Sequence, residues 1–315
     1  MQDVISERLV SASDIDASQW YVYGPILYWT ALIFSVFFLT QDSLLSLIGV
    51  PFLVIIHHGA HEAVHGTLVP KKWYGSKRLN ELSGMLGCAL VGHNFLLMRW
   101  SHAFHHEFGR LEPEFTIEQS SRNVGWLGRV RYYLQLFGAS ALMHEVAGYF
   151  LPFFPEYSKY LEGGGTDNVF RSGKYLACQV VVFLLTIFFI TSGGWYFLLV
   201  RSFFLVFWGV GQNVAHYGIF ACPIKGMEIA ARSYRVNKFM TFLLFGASFY
   251  HVEHHAFPTV PGLLLSNSQV LDAFKRAYGF EPNYKIGINS YLKDVWKQFN
   301  GPFPVELDEK WSKFD

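Results

Sequence analysis

Residues 44–65 read Leu-Leu-Ser-Leu-Ile-Gly-Val-Pro-Phe-Leu-Val-Ile-Ile-His-His-Gly-Ala-His-Glu-Ala-Val-His. An apolar run from Leu44 to Ile56 thus delivers a histidine pair, His61 and His65, just beyond its end. On a helix, positions i and i+4 share a face, so both imidazoles aim at one point. Working outward, histidine clusters return three times: His102-Ala103-Phe104-His105-His106, the lone His216 in Gln212-Asn213-Val214-Ala215-His216, and His251-Val252-Glu253-His254-His255. These clusters hold nine of the chain's 13 histidines. Imidazole is the commonest side-chain metal ligand and suits iron, copper, zinc and nickel. Nine ligands exceed what one tetrahedral or octahedral ion accepts, so two metal ions are the natural reading.

Composition agrees with the apolar run. The 315 residues are 51% hydrophobic and 18% aromatic, and only 16% are charged. A soluble domain averages about 25% charged residues, so this chain reads as a membrane protein. The net charge of +1 argues against a nucleic-acid partner. Cys88, Cys178 and Cys222 lie far apart without CxxC spacing, which excludes a disulfide framework and suits a reducing compartment. The first twenty residues lack the pattern of a cleavable signal peptide.

Two pairs of apolar runs stand out. The first is Gly24 to Thr40 and Leu44 to Ile56, split by Gln41-Asp42-Ser43; the second is Leu176 to Thr191 and Trp195 to Val210, split by Ser192-Gly193-Gly194. Each pair reads as a helical hairpin of membrane spans, a crossing needing about 17–25 apolar residues. Four spans are expected near 24–42, 43–60, 175–192 and 194–213. Lys71, Lys72, Lys77, Arg78, Arg99, Arg110, Arg122, Arg129 and Arg131 follow the first hairpin, while the tight connections carry no Lys or Arg. By the positive-inside rule the metal site and both termini are cytoplasmic, with a cap from 61–174 and 214–315. Parity matters here: two crossings before His61 and two more before His216 place every histidine cluster on one side.

Other apolar stretches test that parity. Leu82 to Met98 contains Gly84, Gly87, Gly92, His93 and Asn94 and reads as a re-entrant or interfacial piece. Tyr133 to Phe154 carries His144-Glu145 at its centre, where charge is costly in hydrocarbon, and reads as an interfacial helix. Phe239 to Ser248 is too short to span. Arg201, inside the fourth span, has no partner legible in the sequence. His57 and His58 extend the first histidine stripe as secondary ligand candidates, and His93 and His144 read as satisfied polar residues. Glu62, Glu107 and Glu253 read as solvated carboxylates or as acceptors for the far ring N–H of metal-bound imidazoles.

At these residues the chain resembles the integral-membrane fatty acid desaturase superfamily, which includes acyl desaturases, hydroxylases and carotenoid ketolases. That family carries HxxxH or HxxxxH, then HxxHH, then a late HxxHH, matched here by His61/His65, His102/His105/His106 and His251/His254/His255. The phrase from Tyr250 to Pro258 is similar to its third box. His216, after the fourth run, resembles an isolated family histidine, with Gln212 at the position of a nearby family asparagine and Asn213 one residue off.

The resemblance implies an all-α integral-membrane fold of four transmembrane helices beneath a helical cytoplasmic cap, a single domain over 1–315. It implies metal ligation by His61, His65, His102, His105, His106, His216, His251, His254 and His255, with two non-haem Fe ions and O2 as co-substrate. It also implies a fatty acyl or related lipid substrate. No HPGG motif or cysteine cluster is present, so electrons are expected from a separate carrier and reductase of ferredoxin or cytochrome b5 type. Desaturation is the leading outcome; hydroxylation, ketolation and oxidative decarboxylation share its first hydrogen abstraction. Phe95, Trp100, Phe104 and Trp208 are candidate tunnel-lining residues.

Two rivals come from other classes. His61-Glu62-Ala63-Val64-His65 satisfies HExxH, the zinc metalloprotease pattern with glutamate as general base. Zinc hydrolysis uses about three protein ligands and leaves six clustered histidines without a role. A metal transporter is the other rival, but transport sites usually sit near the bilayer midplane, not at span ends.

Overall fold

The computed structural model describes residues 19–108, 126–153, 169–217 and 231–301, the side chains at positions 19, 20, 104, 105, 107, 108, 140 and 212 excepted. Cys222 and the side chains of His105, Phe104, Glu107 and Gln212 therefore lie outside it.

Continuous apolar sequence makes α1 (Gln19–Leu39), which stops at the polar break Gln41-Asp42-Ser43. Ser43 is extended and its hydroxyl accepts from Leu45 N–H, starting a 3-10 turn (Leu44–Ile48) that leads into α2 (Gly49–His65). Gly66, at φ 72°, ends α2 in the left-handed conformation that closes many helices. His61 and His65 thus occupy the final turns of the helix itself, whereas the span expected over 43–60 left them beyond it.

Next come α3 (Ser76–Leu90) and α4 (Phe95–Phe108), bent by 100°. Asn94 fixes the bend. Its Oδ1 accepts from Leu96 and Leu97 N–H at 3.0 and 3.3 Å, and its Nδ2 donates to Tyr175 O and Gln179 Oε1 at 3.1 Å. The stretch read as re-entrant is this corner. The stretch read as an interfacial helix divides at Gly138, φ 88°, into α5 (Trp126–Leu136) and α6 (Ala139–Phe150). At ~1.5 Å per residue neither approaches the ~30 Å of a bilayer core.

α7 (Gly173–Val214) carries a break at Gly194, with φ 53° and ψ −137°. A straight helix would hold Gln179 and Arg201 about 33 Å apart. Yet Gln179 bonds Asn94, while the Arg201 guanidinium fills the space beside Gly92, two residues away. Phe189 and Phe197 also stack at 5.4 Å across the break. The two halves of α7 therefore double back on one another at the Ser192-Gly193-Gly194 break, as the sequence led us to expect.

That turn abuts the turn of the first helix pair. A Cβ on Gly193 would lie 2.2 Å from Leu39 O, and one on Gly194 would lie 3.3 Å from Asp42 Oδ1. Backbone cannot yield as a side chain can, so Gly193→Ala is expected to cost about 1–3 kcal/mol, the usual range for overpacking. Thermal unfolding of the detergent-solubilised variant measures it. Deeper in the bundle Tyr28 is fully enclosed in a slot left by Gly59 and Gly87, its hydroxyl donating to Ser83 O.

Among the described residues three segments are long and apolar enough to cross a membrane: Tyr21–Leu39, Leu44–His65 and the broken Gly173–Gly211; the bent α3–α4 pair makes a fourth if taken as one span. The molecule is mostly helical, but it is not purely α. In the C-terminal stretch that the sequence reading assigned to a cap, β1 (Ser233–Arg235) pairs in parallel with β2 (Tyr284–Ile286), Tyr234 opposite Lys285. Three-residue strands are too short to show period-2 alternation, so the sequence concealed them. Around them lie α8 (Lys238–Leu243), α9 (His251–Ala256), α10 (Ser268–Tyr278) and α11 (Ile288–Gln298).

Asp294 ties this cap together. It accepts from Arg232 at 3.0 Å, Tyr234 at 2.8 Å and Lys285 at 2.5 Å. Burial alone would raise its carboxyl, but the bonds from Lys285 and Tyr234 and the nearby cations outweigh it and hold the group below the ordinary carboxylate range. A depressed carboxyl stabilises the fold above its unfolded pKa, and that contribution fades as pH falls through the folded value. The cap of the parent protein is therefore expected to loosen in acid, and Asp294→Asn to lose part of this stability at neutral pH while flattening its acid dependence. Hydrogen exchange over 231–301 checks both.

Candidate metal centre

Four elements deliver the clustered imidazoles to one place. The last turns of α2 bring His61 and His65, α4 brings His102 and His106, the end of α7 leads to His216, and α9 brings His251, His254 and His255. Helical spacing aligns each set, and the corner at Asn94 turns α4 so that its face meets α2.

His102 is the hub of one group. Its Nε2 lies 2.9 Å from His61 Nε2, 2.8 Å from His65 Nε2 and 2.9 Å from His106 Nε2. A single ring nitrogen has one lone pair or one proton, so it cannot satisfy three imidazoles by hydrogen bonding. Convergence of this kind is the geometry of a ligand set. His61, His65, His102 and His254 have donor atoms all within 4.8 Å of one another and could hold one ion. His106 joins them through His102 and through His254, 3.1 Å away.

A second group, His216, His251 and His255, meets the same distance test. His251 Nε2 is 2.9 Å from His216 Nε2 and 3.1 Å from His255 Nε2. On its far side, the His251 Nδ1–H donates to Ala247 O at 3.1 Å, which fixes the tautomer and leaves the Nε2 lone pair inward. The groups adjoin: the rings of His106 and His255 are 4.5 Å apart. Burial, followed by neighbouring imidazoles, holds His254 well below its ordinary value. It is therefore neutral at pH 7, the form that binds metal. All-imidazole donors of this number suit a pair of transition metals.

Two carboxylates within the histidine motifs, Glu62 and Glu253, hold further contacts, while the side chain of Glu107 lies outside the described residues. Glu62 is buried; its Oε2 accepts from Thr67 Oγ1 at 2.7 Å and from Gly262 N–H at 2.9 Å, clamping α2 to the loop after α9. Its Oε1 stands 3.7 Å from His61 Nδ1, beyond hydrogen-bond range. Glu253, fully buried, accepts from Ser233 at 2.5 Å and from Tyr284. Neither is solvated, and Glu62 stands at ion-pair distance from the His61 imidazole. A glutamate tied in this way cannot serve as the base of an HExxH protease.

Other candidates fall outside the centre. Trp208 donates to His57 Nε2 at 2.7 Å, and His58 Nδ1 bonds Val54 O at 2.7 Å. His144 Nε2 is 3.0 Å from Ser101 Oγ, and His93 packs against His144 and Trp208. Arg201 finds its partner in Glu145 at 2.6 Å. Asn213 donates to Gln298 Oε1 at 2.7 Å, so it braces α11 instead of facing the histidines. Of the tunnel candidates, Phe95 is buried against Gly84 and Trp100 meets Phe170 edge-on. Trp100 thus packs, whereas Phe95 also lines a cavity beside His65. The pairing of Glu145 with Arg201 escaped the sequence reading, although each had stood out as a charge inside an apolar stretch.

No individual curated protein matches the chain. The family model described as fatty acid desaturase matches residues 39–267, a span that includes every clustered histidine.

Proposed function

This chain belongs to the fatty acid desaturase family, and from that membership we propose that it is a di-iron oxidase introducing a double bond into a fatty acyl or related lipid chain. At the coarser level it is an oxidoreductase of lipid chains with apolar helices fit for a membrane. The observation that supports the metal-dependent part of this reading is the contact of His102 Nε2 with three other imidazole nitrogens.

In this reading His61, His65, His102, His106 and His254 would hold one iron and His216, His251 and His255 the other, with His105 completing the proposed ligand set. Bound there, the irons supply the activation of O2 that an unactivated C–H bond requires and that amino-acid side chains cannot provide. The chain's own part is to position and to exclude water. His251 is fixed by Ala247 O. Glu62 holds Gly262 against α2, and Glu253 holds β1 and β2 against α9. We further propose that the halves of α7 cross the bilayer separately, giving four spans in two hairpins, with the metal centre and both termini cytoplasmic. Electrons come from a separate carrier and reductase.

The test is mass spectrometry of lipids from cells expressing the chain beside a His102→Ala control. A product lighter by two hydrogens in the parent sample alone is the expected result. A product heavier by one oxygen, or a shortened terminal alkene, would move the assignment to hydroxylation or decarboxylation. His144→Ala, which removes the bond to Ser101 and the ring contact with His93, is expected to keep most of the parent's iron and turnover.

A further inference from the structure

A cavity of about 210 Å3 opens beside the metal centre, between the end of α2 and the helices α3 and α4. His65, one of the four imidazoles around His102, forms part of its wall. Ala63, Val64 and Phe95, all buried, give it an apolar floor. Lys71, Lys77 and Arg99 stand at its rim. Glu81, the only acid in the lining, is paired with Lys174 at 3.2 Å. Among the described residues no carboxylate lies within salt-bridge distance of Lys71, Lys77 or Arg99.

Three cations with no carboxylate partner among the described residues line a partly apolar cavity and create a local positive potential that favours an anion. The volume is below the ~300–1,000 Å3 of clefts that enclose a whole drug-sized ligand, so it suits a head group and not a complete lipid. An apolar floor beneath the charges is what an anion joined to a hydrocarbon needs and a free ion does not. Resting on the lipid-oxidase reading above, we propose that this cavity binds the anionic head group, a carboxylate or a phosphate, of the lipid substrate. The substrate class is thereby narrowed to anionic amphiphiles, as against alkanes, sterols or carotenoids. Lys72 and Arg78 are also exposed but do not line the cavity, which makes them an internal control of equal charge.

The experiment is equilibrium binding to the detergent-solubilised full chain with three probes: dodecyl phosphate, dodecanol and inorganic phosphate. Dodecyl phosphate is expected to bind about tenfold or more tightly than dodecanol, and to weaken in high salt, where charges are screened within ~3 Å. The Lys71→Gln/Lys77→Gln protein should lose most of that preference, and the Lys72→Gln/Arg78→Gln protein should keep it. Equal binding of phosphate and alcohol would overturn the proposal, as would an equal loss in both double variants, which marks diffuse surface charge. Inorganic phosphate binding as tightly as dodecyl phosphate would make this a free-anion site. Unchanged lipid binding by Lys71→Gln/Lys77→Gln would leave these cations as a docking patch for an acidic protein. Binding is read without turnover or iron, so a negative result here leaves the metal reading intact, and failure of the metal reading is seen separately in iron content.

Discussion

A His102→Ala protein is expected to lose turnover by at least about 10²–10³-fold, the loss typical when one group that stabilises the reacting centre is removed. It should also hold about one iron fewer per chain. The reason is positional. His102 is the imidazole that touches His61, His65 and His106 at once, linking the histidines of α2 to those of α4. Removing an edge member such as His61 leaves the remaining contacts of His102 with His65 and His106, whereas removing the hub leaves none of the three. Metal analysis and single-turnover product formation on the purified protein measure both effects. A His102→Ala protein with full iron and full turnover would contradict the arrangement.

The second large effect is on stability. Arg201 and Glu145 form an ion pair at 2.6 Å with side chains only 10% and 14% exposed, inside an otherwise apolar segment. Glu145→Ala leaves the guanidinium without its anion. Breaking such a pair from one side costs about 3–5 kcal/mol, because the remaining charge stays buried. The double variant Glu145→Leu/Arg201→Met removes both charges and is expected to recover most of the loss. Comparing single and double variants by thermal unfolding isolates the coupling between the two groups. Additive losses would show that the pair is not coupled. The same change should disturb the centre little by direct contact, since α6 reaches α4 through His144 and Ser101.

What was legible in the sequence was periodic or local. The i, i+3, i+4 histidines announced themselves because helical spacing converts sequence interval into a shared face. The Gly193-Gly194 break marked the reversal of α7 because Gly194 adopts a backbone conformation that L side chains rarely tolerate. Asn94 and the glycines around it marked Leu82 to Met98 as a re-entrant or interfacial piece, though not as two helices bent by 100°. Partnerships between distant residues were hidden. Glu145 and Arg201 are 56 positions apart, Glu62 and Gly262 are 200 apart, and no local pattern links either pair. Asn213 read as a neighbour of the centre because of its place before His216, yet tertiary packing gives it to Gln298. The glutamates within the histidine motifs misled for a similar reason. Adjacency to His61 and His254 did not reveal that Glu62 also holds Gly262 and that Glu253 holds Ser233 and Tyr284. The cap strands, three residues each, carried too little pattern to be seen.

The central claim is that these histidines form two neighbouring metal sites, one built around His102 and one around His251. The most direct measurement is anaerobic titration of the purified chain with ferrous iron, read as bound iron per chain, for the parent, His102→Ala and His251→Ala. The account predicts two irons for the parent and about one for each variant. One iron or none in the parent, or two retained in both variants, would contradict it.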